Sequence, residues 1–197
     1  INLLKRTNID YLYIPNDKDI YSFKVNKSIY IDKFSKKLCG KYKPGHFMSV
    51  VNVVNRFLEI IKPRSIYLGM KDFQQLTLIK LHINKKKIKT KLVECSTVRD
   101  TNGLALSSRN IRLKNKQIFS AGNIYKYIST NKKLILHKIL NKKKSEIVNK
   151  LIELGAKKID YIECLNPKNL EYTKKICVNF KVFIAYYIDD VRLIDNL

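Results

Sequence analysis

A chain of 197 residues is long enough to bury a sizeable core, as one domain or two small ones. Hydrophobic residues make up 45% of it, which excludes wholesale disorder, and no apolar run reaches the length of a membrane span. The 40 lysines and arginines against 16 aspartates and glutamates give a formal net charge of +24, which points toward anionic partners. The first predicted element is a short strand, "YLYIP" (11–15), aromatic and β-branched and closed by Pro15. Over 46–62 the apolar residues Phe47, Val50, Val51, Val54, Leu58 and Ile61 recur at helical spacing, and Pro63 ends that helix. "SIYLG" (65–69) predicts a compact buried strand, with Gly69 allowing a sharp turn. "DFQQLTLIKLHI" (72–83) is helical by pattern and "TKLVECSTV" (90–98) reads as a strand, so the three make a βαβ unit with a parallel sheet.

After Val98 the order of elements changes. Helices cover much of 115–154, with Ser145 as an N-cap and Gly155 as a stop. Two extended segments follow, "IDYIECL" (159–165) and "FKVFIAYYI" (180–188), before the closing "VRLIDNL" (191–197). The expected fold class is α/β: a parallel-sheet domain over 1–97, then a smaller α+β domain over 98–197.

Cys39, Cys95, Cys164 and Cys177 are scattered without metal-ligand spacing, and His46, His82 and His137 add none, so no protein-borne metal site is expected. Thiols without a disulfide framework and the absence of a signal-peptide pattern fit a cytoplasmic protein. Only seven of the cations are arginine, and lysine travels with isoleucine and asparagine, the trio that AT-rich codons supply. The runs "NKKKIK" (84–89) and "NKKKSE" (141–146) lack interleaved aromatics and read as solvated turns rather than nucleic-acid readers. A basic RNA-binding module is kept as the alternative, on charge alone.

Chemistry concentrates where glycines punctuate the chain. Gly69 ends a strand and opens a helix, and ligands of open parallel sheets bind beyond such strand ends. Lys71 at that turn can set an ammonium against a phosphate. Asp72 and Gln75 have capping-box spacing, a role that can coexist with ligand binding. Gln74 and Gln75 lie about 100° apart on a helix, so at most one faces the site squarely. In "TNGLALSSRN" (101–110), Gly103 gives the loop freedom, Ser107 and Ser108 offer hydroxyls and open amides, and Arg109 offers a planar fork. Those are parts for wrapping phosphate oxygens; the same serines also suit a helix-capping turn.

The segments "KPGHF" (43–47), "YLGMKDFQQLTLIK" (67–80), "DTNGLALSSRN" (100–110) and "VRLIDN" (191–196) occur in an order and spacing that resembles the pantoate–β-alanine ligase family, the pantothenate synthetases. The resemblance implies a Rossmann-like nucleotidyltransferase domain, a smaller C-terminal domain and a homodimer. It implies ATP, Mg2+ carried on the ATP phosphates, pantoate and β-alanine as ligands, with no membrane and no nucleic-acid partner. Pantoate carboxylate attacks the α-phosphate of ATP, and the β-alanine amine then attacks the acyl carbon of the pantoyl adenylate. Carried across, Gly69, Met70, Lys71, Asp72, Val98, Leu106, Ser107, Ser108 and Arg109 would form the ATP site, with Lys71 and Arg109 stabilising the transition state. Gln75 would hold pantoate, with His46, Val50 and Val53 as further contacts and Val54 on the same helix. Met70, Lys43 and Asp189 depart from the family's usual residues. The family's opening Gly-rich turn, His-x-x-His pair and second pantoate glutamine have no counterpart in the sequence, which begins at Ile1. The expectation is therefore an N-terminally incomplete chain that holds half of an adenylation site, lacks the proton-donating histidine and does not turn over by itself. A pseudoenzyme of this family, or another adenylate-forming ligase, are the readings beside it.

Overall fold

Helices lead the chain and a sheet closes it. The computed structural model describes residues 6, 9–21, 29–176 and 179–197. Two short helices, α1 (Asp17–Tyr21) and α2 (Cys39–Tyr42), precede the long α3 (His46–Ile61). Gly45 enters α3 at φ +78°, a conformation that side chains resist and glycine does not. The apolar face of α3 lies inward as its period requires, with Phe47, Val51 and Leu58 buried. The helix stops before Pro63 with Lys62 left-handed and its N–H on the Leu58 carbonyl at 3.0 Å.

The strand β1 (Ser65–Gly69), helix α4 (Phe73–Lys85) and strand β2 (Lys91–Cys95) follow. The two strands pair in parallel from Ser65↔Lys91 to Gly69↔Cys95, so the expected βαβ unit is present. Its burial is not as expected: β1 is only half-buried, and Tyr67 is 68% exposed. A two-stranded sheet leaves much of its surface open. The strand expected at 11–15 does not form. Among the described residues that segment pairs with no strand, and Tyr11 and Ile14 stay exposed. Propensity favours an extended chain, but a ladder partner is what makes a strand.

Beyond the loop after β2 come α5 (Asn115–Thr130), α6 (Lys132–Leu140) and α7 (Lys144–Glu153). Ser145 is not the N-cap of α7: Lys143 takes that position, and Ser145 lies one residue inside the helix. Gly155 does end it, at φ +106°, with its N–H on Ile152 O at 2.9 Å and the Ala156 N–H on Leu151 O at 3.0 Å. That pair of bonds is the Schellman arrangement. The lysine runs at 84–89 and 141–146 fall mostly on exposed turns and helix ends, as expected.

The chain closes on an antiparallel sheet, β3 (Lys158–Leu165), β4 (Lys181–Ile188) and β5 (Val191–Asn196), in sequence order. Both faces are buried. Ile162, Cys164, Val182, Ile184 and Tyr186 pack under α5, α6 and α7 with Ile124, Ile135, Leu136, Ile147 and Leu151. The alternate residues Tyr161, Leu165, Phe183 and Ala185 pack toward Phe47, Phe73, Leu78 and Ile79 of α3 and α4. The β4–β5 turn holds Asp189 at φ +46°, a strained setting that accounts for glycine being usual there. Its carboxylate accepts a hydrogen bond from the Gln117 amide, which offsets part of that cost.

Candidate active site

The second core leaves a cleft where α2, the start of α3, the β1–α4 turn and strands β3 to β5 meet. It encloses about 600 Å³ including its open mouth. Lys71 and Asp72 reach it from a 3₁₀ turn, Met70–Asp72, that carries β1 into α4. Arg109 reaches it from another, Ser108–Arg112, in the loop after β2. Gln75, His46 and Lys43 line it too, and Leu38, Phe47, Phe73, Phe183 and Ile194 supply apolar wall. Lys43, Lys71, Arg109 and Arg192 all line one hollow, with the carboxylates of Asp72 and Asp195 beside them.

Asp72 stands at the N-cap position of α4 but makes no capping hydrogen bond, so the capping box is not formed. The 3₁₀ turn runs straight into the helix and leaves the carboxylate exposed at the cleft. Gln74, adjacent to Gln75, is spent on structure. Its Nε2 donates to the Phe34 and Lys37 carbonyls, each at 2.8 Å, and its Oε1 accepts from the Cys39 N–H at 3.1 Å. Gln75 is the half-exposed one, as the helical angle between them requires. Ser107 does cap: its Oγ accepts from the Arg109 N–H at 3.2 Å, fixing the turn from which Arg109 projects. Burial first, then Lys43 and Arg109, hold the His46 imidazole below its ordinary pKa.

Other expected residues lie outside the cleft lining. Val98 and Leu106 are exposed neighbours joined by the Leu106 N–H to Val98 O at 2.9 Å. Gly69, Met70, Ser107 and Ser108 flank the cleft without lining it, and Val50, Val53 and Val54 lie farther along α3. Val50 and Val54 pack on the core.

Sequence reasoning assigned no role to the cleft's far wall. Arg192 donates from Nε to the buried Asp160 carboxylate at 2.7 Å, and both its Nη atoms lie 3.7 Å from Cys39 Sγ. Cys39 Sγ lies 3.0 Å from Tyr161 Oη, and burial raises that phenol's pKa above its usual range. Cys39 is thus a wall thiol; no disulfide joins Cys39, Cys95 and Cys164, and Cys177 lies outside the described residues. Polar Arg192, Asp195 and Asn196 interrupting a short apolar strand were the available signal. No helix among the described residues is long and apolar enough to cross a membrane.

A parallel βαβ unit with cations converging on a cleft at one end is the build of a phosphate-handling α/β enzyme. Comparison with known proteins gives the particular kind. The pantoate-β-alanine ligase family model matches residues 1–197. The pantothenate synthetase of Thermotoga petrophila is 33% identical over 196 residues, covering 98% of this chain and 70% of that protein. That of Azobacteroides pseudotrichonymphae is 36% identical over 197 residues, 99% of this chain and 70% of its relative. Among solved structures, pantothenate synthetase from Thermus thermophilus superposes with a TM-score of 0.79 at 25% identity, covering 100% of this chain and 72% of that one. The Francisella tularensis pantoate-β-alanine ligase, described as a complex with β-γ ATP and β-alanine, gives 0.74 at 36% identity, covering 100% and 67%. The chain belongs to the pantoate-β-alanine ligase family, and its activity is ATP-dependent pantothenate synthesis.

Proposed function

We propose that the cleft between the β1–α4 turn and β5 is where this chain condenses pantoate with β-alanine, and that Lys71 and Arg109 are its phosphate ligands. The observation that carries this reading is their arrival from two separate loops on one hollow. A pantoate carboxylate oxygen attacks the α-phosphorus, and the bond to pyrophosphate breaks. The β-alanine amine next attacks the acyl carbon, AMP leaves, and the amine gives up a proton. Negative charge spreads over phosphoryl oxygens in the first step, so fixed cations stabilise the transition state more than the ground state.

Gln75 orients pantoate, and the apolar wall of Phe47, Phe73 and Phe183 receives its methyl groups. His46 lines the same cleft, its pKa lowered first by burial, and is the group assigned to take the amine's proton. The nucleotide extends along Gly69, Met70 and Asp72 toward Val98, with Leu106, Ser107 and Ser108 closing from the loop. Mg2+ would come on the ATP phosphates and bring charge neutralisation, with Asp72, exposed and free of a capping bond, as a carboxylate of the same cleft. In this reading the two domains meet near Val98, just past β2, and the protein works in the cytoplasm as a homodimer.

The test is calorimetric ATP binding with and without pantoate, followed by pantoate-dependent exchange between ATP and pyrophosphate. Where the unaltered protein supports exchange, Arg109→Ala should slow it by about two to three orders of magnitude. A near-normal rate removes Arg109 from the mechanism. RNA affinity falling steeply with salt, with no ATP binding, would instead favour a basic RNA-binding module.

A further inference from the structure

Two consecutive side chains at the end of β5, Asp195 and Asn196, line the cleft without a part in the reaction described above. Asn196 Nδ2 donates to the carbonyls of Met70 at 2.8 Å and Lys71 at 3.0 Å. Its Oδ1 accepts from Lys181 Nζ at 3.1 Å, and an ammonium can only donate, so the amide has one orientation. Asp195 takes the Arg99 guanidinium in a bidentate pair, at 2.6 and 2.9 Å, with both side chains largely buried. Arg99 also donates to the Gly103 carbonyl at 3.0 Å and lies 4.3 Å from the centre of the Tyr125 ring.

Successive residues of a strand face opposite sides of the sheet. Neighbouring positions at one strand end can therefore hold two different segments, one on each side. Here those segments are the turn that presents Lys71 and the root of the loop that presents Arg109.

We infer that Asp195 and Asn196 are positioning residues that fix the spacing of the two phosphate ligands. Asn196 acts on the backbone of Lys71 itself. Asp195 acts through Arg99, at the base of a loop also tied by the Leu104 N–H to Asp100 Oδ1 at 2.9 Å and by the Leu106 N–H to Val98 O at 2.9 Å. These bonds anchor the root of the loop as far as Leu106. Two cations on separate loops bind a polyphosphate well only when their spacing is set beforehand. The inference rests on the ATP reading above.

Calorimetric ATP binding tests it, with Asn196→Ala made both in the unaltered chain and in Lys71→Ala. Asn196→Ala should weaken ATP on the order of tenfold in the first and leave it unchanged in the second, because its effect passes through Lys71. Asp195→Asn should behave in the same way against Arg109→Ala. Equal losses in both backgrounds would make these residues general stabilisers and overturn the inference. Hydrogen exchange gives a readout independent of ligand. Amides of 70–75 should exchange faster in Asn196→Ala, and those of 99–106 faster in Asp195→Asn, with 147–151 of α7 unchanged. Uniform acceleration along the chain would also overturn it. No ATP binding by the unaltered chain defeats the ATP reading and this inference together, whereas undiminished binding by both variants defeats this inference alone.

Discussion

Gln74→Ala removes one side chain and, with it, three hydrogen bonds to backbone groups. The Phe34 and Lys37 carbonyls keep the Lys37 and Gly40 N–H groups but lose the side-chain donor, and the Cys39 N–H loses its acceptor. Gln74 is 7% exposed, so water cannot freely replace it. At about 1 kcal/mol for each lost bond the variant should be less stable by about 3 kcal/mol, with more if the Cys39 N–H stays dry. For a chain of this size that is a fall in Tm of roughly 6–12 °C. Thermal melts and urea titrations of the two proteins measure it directly. Gln74→Glu sharpens the case, since a carboxylate still accepts from Cys39 but faces two carbonyls it cannot donate to. A Gln74→Ala variant within about 0.5 kcal/mol of the parent would refute the reasoning, because surface substitutions alone give that much.

The neighbouring Gln75→Ala should leave the melt unchanged and weaken pantoate far more than ATP in calorimetry; equal losses for both ligands would make Gln75 structural. Gly103→Ala should destabilise by about 2–4 kcal/mol in urea titration, because φ is +85° and a Cβ would lie 2.2 Å from two Tyr125 ring atoms. The buried His82 has its pKa lowered, chiefly by desolvation. The unfolded chain therefore binds the proton first, and stability present above about pH 6.5 is lost as pH falls through the lower folded value. Stability curves for the parent and His82→Gln should converge as pH falls through that window. Parallel curves would show that the imidazole carries no such cost.

The βαβ unit was legible because periodicity reports local burial: α3 and α4 followed their apolar spacing, and β1 and β2 paired as the short connections required. The strand expected at 11–15 was not, since its residues state a preference and pairing depends on what lies alongside. Lys71 and Arg109 were readable from glycine-punctuated loops, and they share the cleft. What sequence could not give was division of labour between adjacent residues. Gln74 and Gln75 are chemically identical, and only the packing of 33–39 against α4 decides which one is used up. Arg192, Asp195 and Asn196 were visible as polar breaks in a strand, but their partners lie at Asp160, Arg99 and the Lys71 turn, far off in sequence.

The terminal sheet is apolar on both faces, and this bears on how the chain finds its alignment during folding. In a sheet with one wet face, a strand that slips by a single residue exposes its core side chains and is rejected. Here Val191, Leu193 and Ile194 of a slipped β5 would still meet apolar neighbours. What singles out the native alignment is the polar set on that strand. A slip carries Arg192 away from Asp160, Asp195 away from Arg99 and Asn196 away from the Met70 and Lys71 carbonyls, leaving charges and donors buried without partners. The side chains that border the cleft are also the ones that tell β5 where to stop sliding.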